Sequence, residues 1–186
     1  MRTDGRERLK KGASSMWISP KTDLSAFELD EVFWFTNGRK SHENGINTYI
    51  MTMASRVPHQ ILAFDVDNSI QSKLIQAMVD RSPYSEKYFT DGCTVYLDVD
   101  FGGRHIRNIH NKNDTYTVEG TNADLRHYIA GLRRRSRCFF RKLETLKAVL
   151  YVFINAFNKF GHVKFEYRKK YPNRNRDLAF SHIDFI

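Results

Sequence analysis

Apolar side chains change their spacing along this chain, and each change marks an element. Residues 26–35 hold the dense run Phe27, Leu29, Val32, Phe33, Trp34 and Phe35, which predicts a strand. Asn37-Gly38 signals a turn. Residues 46–54 alternate in strand fashion, and residues 59–66 form a third strand centred on Ile61, Leu62, Ala63 and Phe64. Three strands joined by short loops predict an antiparallel meander. The period then lengthens. Ile70, Leu74, Ile75, Met78 and Val79 recur at helical spacing, with Ser69 as the expected cap. Residues 87–90 read as a short fourth strand ending at Asp91, and 105–109 as a fifth. A helix follows over 118–132, with Leu125, Ile129 and Leu132 on one face. A more apolar helix carries Leu143, Leu146, Val149, Leu150, Phe153, Ile154 and Phe157, and Gly161 is expected to end it. The stripe on this last helix reads first as core and second as a dimer surface.

The pattern divides the chain into a basic flexible arm or linker (1–25), one folded domain (26–160) and a basic aromatic tail (161–186). A three-stranded meander, a helix and then a strand lying parallel beside the first is the order of ribonuclease H-like domains. The expected fold is therefore α/β and ribonuclease H-like, with a mixed five-stranded sheet flanked by helices. With 186 residues the chain is long enough to bury a full core.

Charge narrows the partners. Thirty Lys and Arg against 21 Asp and Glu give a net charge of +9, which favours a polyanion. The apolar run at 148–157 is too short to span a membrane and contains Asn155. The two cysteines, Cys93 and Cys138, form no Cys-x-x-Cys, which excludes a zinc ribbon and suits a reducing cytoplasm.

Three acids stand where acids are unexpected in so basic a chain. Asp30 interrupts the apolar first strand, Asp91 closes the fourth, and Glu119 opens a helix. Read singly, each has an ordinary explanation. Asp30 suits a buried ion pair, Asp91-Gly92 a turn, and Glu119 a first-turn acid favoured by the helix dipole. Read together, in this strand order, they can converge, because neighbouring strands lie about 4.8 Å apart. Converging carboxylates repel one another unless a cation joins them, and Mg2+ prefers carboxylate oxygens and phosphate. Asp65 and Asp67 flank another strand end, placed either to crowd the other acids or, as is usual after a buried strand, to face solvent. The histidines show no paired ligand spacing, and neither His105 nor His110 is expected to hold a metal.

At these residues the chain resembles the catalytic part of DDE transposases of the insertion-sequence-one family. Leu29-Asp30-Glu31 with Trp34 resembles the first-aspartate motif, and Thr90-Asp91-Gly92 with Tyr96 the second. Glu119, Asn122, Leu125-Arg126, Ala130, Leu132, Arg134, Ser136, Phe139 and Lys142 follow the order and spacing of the third. The resemblance covers roughly residues 27–157. It implies a ribonuclease H-like fold, two Mg2+ ions (Mn2+ as a substitute) held by Asp30, Asp91 and Glu119, and DNA cleavage with strand transfer. Cys93 stands where the family has an aromatic residue, and Gly120 where it often has a base.

Asn122 and Arg126 share the helix face of Glu119, and Arg126 is placed either to reach a phosphate or to pair with a neighbouring acid. Together with Arg133, Arg134, Arg135, Arg137, Arg141 and Lys142 they form the expected DNA-binding set, a run with no acid between Leu125 and Leu143. The basic aromatic tail, with Phe165, Tyr167 and Tyr171, suits either backbone contact or a disordered end. Residues 1–25 cannot hold the zinc-binding, helix-turn-helix region usual in the family, so the chain resembles the downstream reading frame. The expected partners are element-end and target DNA, further copies of the chain on DNA, and an upstream-frame recognition segment, with no membrane. The expected location is cytoplasmic and nucleoid-associated. A ribonuclease H-like nuclease or resolvase, and an inactive DNA-binding remnant of a transposase, are the alternative readings.

Overall fold

A computed structural model describes residues 16, 18–37, 45–108, 114–133 and 138–170, with side chains to 160 in the last helix. Five strands form one mixed sheet: β1 (Ala26–Thr36), β2 (Ile46–Ser55), β3 (Gln60–Asp67), β4 (Lys87–Thr90) and β5 (Arg104–Arg107). Their spatial order is β3-β2-β1-β4-β5. The first three strands form the expected antiparallel meander, from Phe27↔Ser55 to Thr36↔Ile46 between β1 and β2. β4 lies parallel beside β1, and β5 parallel beside β4. Gly103 permits that last pairing. A Cβ there would lie 2.4 Å from the Ser85 carbonyl oxygen, a spacing that only glycine allows.

Three helices, α1 (Ser72–Asp80), α2 (Tyr116–Tyr128) and α3 (Leu143–Lys170), flank the sheet among the described residues. Strand alternation sorts the core into two layers. Phe27, Leu29, Met51 and Met53 meet Ile75, Met78 and Val79 of α1, together with Tyr96 from a 3-10 turn at Thr94–Asp98. Val32, Ile50, Ile61 and Val66 meet Leu125 of α2 and Leu146, Leu150, Ile154 and Phe157 of α3 on the other face. Most of the apolar stripe of α3 is therefore core, while Val149 and Val152 remain exposed.

Several boundaries differ from the sequence expectation. α1 starts at Ser72 after the extended Gln71, so Ser69 does not cap it. The Ser69 hydroxyl instead accepts from Gln71 Nε2 at 2.8 Å. α2 stops at Tyr128, because Ile129 is extended, and a 3-10 turn at Ala130–Leu132 completes the predicted span. α3 does not end at Gly161 but runs on to Lys170. One glycine in a helix interior costs about 1 kcal/mol relative to alanine, which the helix-favouring residues on either side offset.

Of the expected arm, Met16 is buried with the second core layer, and Ile18 packs against the first. Ser19 N–H donates to Gln60 Oε1 at 3.0 Å, and Asp23 N–H to the Val57 carbonyl at 2.6 Å. Asp65 faces Arg81 at 3.3 Å and Lys147 at 3.2 Å, tying β3 to the end of α1 and to α3 rather than crowding the other acids. No helix among the described residues is long and apolar enough to cross a membrane.

Candidate metal centre

Pairing between β1 and β4 ends at Glu28↔Phe89. β4 stops at Thr90, while β1 runs on to Thr36 beside β2. A notch opens at the carboxyl end of β4, where the edge of β1 has no strand beside it. Open α/β sheets place ligands at such strand ends.

Carboxylates of Asp30, Glu31 and Asp91 converge in this notch, with one oxygen from each lying within 4.8 Å of the others. Asp30 and Asp91 meet as the strand order predicts. Glu31 is the unexpected member. Neighbouring residues on a strand point to opposite faces, so Asp30 and Glu31 leave β1 on opposite sides. Both side chains reach the same notch because the bare strand edge lets them approach Asp91 from either face.

Asp30 and Asp91 are held by hydrogen bonds. Asp91 Oδ1 accepts the Cys93 N–H at 2.9 Å, so the turn reading and the cluster reading of Asp91-Gly92 apply to the same carboxylate. The Arg107 guanidinium donates from Nε to the Gly92 carbonyl at 3.2 Å, fixing this loop to β5. His105 pairs with the Thr90 hydroxyl at 2.9 Å and is not among the three acids. The buried Tyr96 hydroxyl is near enough to Glu31 to act on its charge. Among the described residues, Glu31 Oε1 is buried with no hydrogen-bond partner. Asp30 Oδ2 accepts from Asn122 Nδ2 at 2.8 Å, and the Thr52 hydroxyl donates to Asn122 Oδ1 at 2.9 Å.

The electrostatics are those of acids crowded out of water. Burial raises the Asp30 pKa, hydrogen bonds from the Glu31 backbone and Asn122 oppose the rise, and the charges of Asp91 and Glu119 add to it. Burial likewise lifts Glu31 to about 7, against the neighbouring Tyr96 hydroxyl and with help from Asp91 and Asp30. An acid whose folded pKa is raised stabilises the fold fully below its unfolded value and loses that contribution as pH rises through the folded value. The cation-free protein should therefore melt lower at pH 8 than at pH 5. Glu31→Gln should flatten much of that fall, and millimolar Mg2+ should reverse it. Equal melting temperatures at both pH values without cation would show that these acids are not crowded.

Glu119 lies on the exposed first turn of α2, outside the three converging acids, yet near enough for its charge to act on Asp30. A second acid of β1 sets where that turn sits. Glu28 is fully buried, and its Oε2 accepts the Val118 N–H at 2.9 Å, satisfying an amide that the helix start leaves open. Glu28 Oε1 takes the Arg56 Nε–H at 2.6 Å, and Arg56 also donates to the Asp114 carbonyl at 2.9 Å. The Arg56 guanidinium lies 4.5 Å from the Phe89 ring centroid and 5.6 Å from that of Tyr116. Two acids of β1, two residues apart on one face, thus each hold α2: Glu28 at Val118 and Asp30 at Asn122. Four helical residues rise about 6 Å and two strand residues about 6.6 Å. The two spacings match, so one turn of α2 lies along β1.

The expected DNA-binding residues separate. Asn122 is only 2% exposed, and its amide is engaged with Asp30 and Thr52. Arg126 is half-buried on the same helix. Arg133, Arg141 and Lys142 are exposed, and Arg133 Nε donates to the His127 carbonyl at 2.8 Å. Arg134, Arg135 and Arg137 lie outside the described residues.

Sequence reading gave no role to Glu28 or Thr52, and named Glu31 and Tyr96 only as neighbours in the first two motifs. Glu28 carried a signal: it is an acid in an apolar strand, on the same face as Asp30. Strand alternation argues against Glu31 meeting Asp30, so its motif position alone pointed to it. No protein-family model matches the chain, and no curated protein matches it.

Proposed function

We propose that this chain is the catalytic region of a DDE transposase of ribonuclease H-like fold, carrying out Mg2+-dependent DNA cleavage and strand transfer. The observation that carries the reading is the convergence of Asp30, Glu31 and Asp91 where β4 ends beside a longer parallel β1. The strand order supports it. So does the resemblance of the residues around Asp30, Asp91 and Glu119 to the insertion-sequence-one motifs.

These residues fit a hard divalent cation. The donors are all carboxylate oxygens, and the buried, unpartnered Oε1 of Glu31 calls for a positive ligand. Asp30, Asp91 and Glu31 would hold it, with Glu119 added from α2. A divalent cation there supplies the Lewis acidity for in-line transfer at a phosphodiester. The protein's own part is to keep the acids fixed: Asn122 orients Asp30 and the Cys93 N–H orients Asp91. Exposed Arg133, Arg141 and Lys142, within a chain of net charge +9, provide contacts for the DNA backbone.

The test is a joining assay. The chain is given Mg2+, a supercoiled plasmid and duplexes carrying the DNA that flanks its own coding sequence, ending in a free 3′-hydroxyl. Covalent joining of duplex to plasmid, abolished by chelator, is the expected result. Nicking without joining would make the protein a nuclease or resolvase. Salt-sensitive binding with no cation-dependent cleavage would make it a DNA-binding remnant.

A further inference from the structure

Asp30 touches a neutral donor where a stronger, charged one would fit the chemistry of a buried acid. Buried carboxylates are ordinarily matched by Arg or Lys, as Glu28 is matched by Arg56 on the same strand face. At Asp30 the partner from α2 is instead the amide of Asn122, at 2.8 Å. An amide fixes the rotation of a carboxylate without neutralising it, so the full negative charge remains for something else.

Asn122 is itself fixed. Its Oδ1 lies 2.9 Å from the Thr52 hydroxyl, which also reaches the Asp30 carbonyl oxygen at 3.3 Å. Flipping the amide would set Oδ1 against Asp30 Oδ2, two acceptors with no proton between them. The three residues come from β1, β2 and α2, with Thr52 and Asn122 both buried and Thr52↔Asp30 a direct cross-strand pair. The arrangement is closed on the protein side and leaves Asp30 facing Glu31 and Asp91 in the notch.

The geometry points to Asn122, braced by Thr52, as the positioning residue that presents a fixed Asp30 carboxylate, held by a neutral donor, to a divalent cation. This rests on the reading of the notch as a cation site. It also accounts for a buried amide at Asn122 in the middle of α2. A purely structural amide would serve the fold equally well whatever the cation did, so the two roles separate when cation binding is measured without DNA.

The experiment titrates Mn2+ into the full chain and follows bound Mn2+ by electron paramagnetic resonance, with circular dichroism to confirm folding. Wild type, Asn122→Leu, Thr52→Val and Thr52→Ser are compared. Loss of an orienting partner costs about tenfold to a hundredfold in metal affinity. Asn122→Leu is expected to weaken Mn2+ binding by that amount. Thr52→Val should weaken it less, and Thr52→Ser, which keeps the hydroxyl, should bind like wild type. If Asn122→Leu fails to fold, the Thr52 pair carries the test. Wild-type affinity in folded Asn122→Leu and Thr52→Val would overturn the positioning role while leaving the cation site standing. Equal weakening by Thr52→Val and Thr52→Ser would also overturn it, because packing rather than the hydroxyl would then be responsible. No Mn2+ binding by wild type would overturn the cation site and this role together.

Discussion

Asp30→Asn and Asp91→Asn should each lower Mg2+-dependent DNA cleavage by about a thousandfold, a loss of about 4 kcal/mol in transition-state stabilisation. Asparagine keeps the shape of the side chain and removes its charge, so the fold should persist. In each case the notch would lose one of its three converging carboxylates. DNA affinity should not fall, because an acid beside a polyanion has been neutralised. Glu119→Gln should cause a comparable loss of cleavage, since Glu119 is the acid that α2 brings toward Asp30. Initial rates on a supercoiled plasmid at saturating Mg2+, with binding measured separately by fluorescence anisotropy, check all three. Undiminished cleavage by Asp91→Asn would end the proposal.

Arg56→Ala is the substitution with the largest expected effect on stability, a loss of about 3–5 kcal/mol. It strands the fully buried Glu28 carboxylate without its cation, and the cost of an unpaired buried charge exceeds the value of the pair. The contacts of the guanidinium with Phe89 and Tyr116 go with it. At a urea dependence of about 2 kcal/mol per molar, the unfolding midpoint should drop by roughly 2 M. Glu28→Gln should cost less, because an amide oxygen can still accept the Val118 N–H, although its NH2 then faces the Arg56 Nε–H and that hydrogen bond is lost with the charge. If urea titrations place both variants close to wild type, Glu28 and Arg56 do not anchor α2.

Much of this arrangement can be read in the sequence because it follows from side-chain period. Alternation locates the meander, the switch to helical spacing locates α1, and the parallel placement of β4 beside β1 follows from the intervening helix. That order brings Asp30 and Asp91 together. What the sequence does not display depends on where strands stop. Glu31 joins the acids only because β4 ends at Thr90, one residue after its last rung with β1, and a run of four residues does not announce its pairing length. The burial of Asn122 is hidden for a related reason. Its helix could present Asn122 outward or inward, and the choice is made by Glu28, which pins the preceding turn. The extent of α3 is hidden by Gly161, a usual stop signal that a long helix tolerates.

Asn158 of α3 has a bearing on how copies of the chain can meet. Its Oδ1 accepts the Ile61 N–H at 2.9 Å, and its Nδ2 donates to the Ile61 carbonyl at 2.8 Å, so one side chain imitates a neighbouring strand at the rim of the sheet. Gln60 Nε2 adds a bond to the Asn158 carbonyl at 3.1 Å. The start of β3 is thereby closed to another backbone, and the opposite rim, β5, offers only four residues. Joining two sheets rim to rim into one continuous ribbon is blocked on one side and poorly templated on the other, which leaves association to side-chain surfaces.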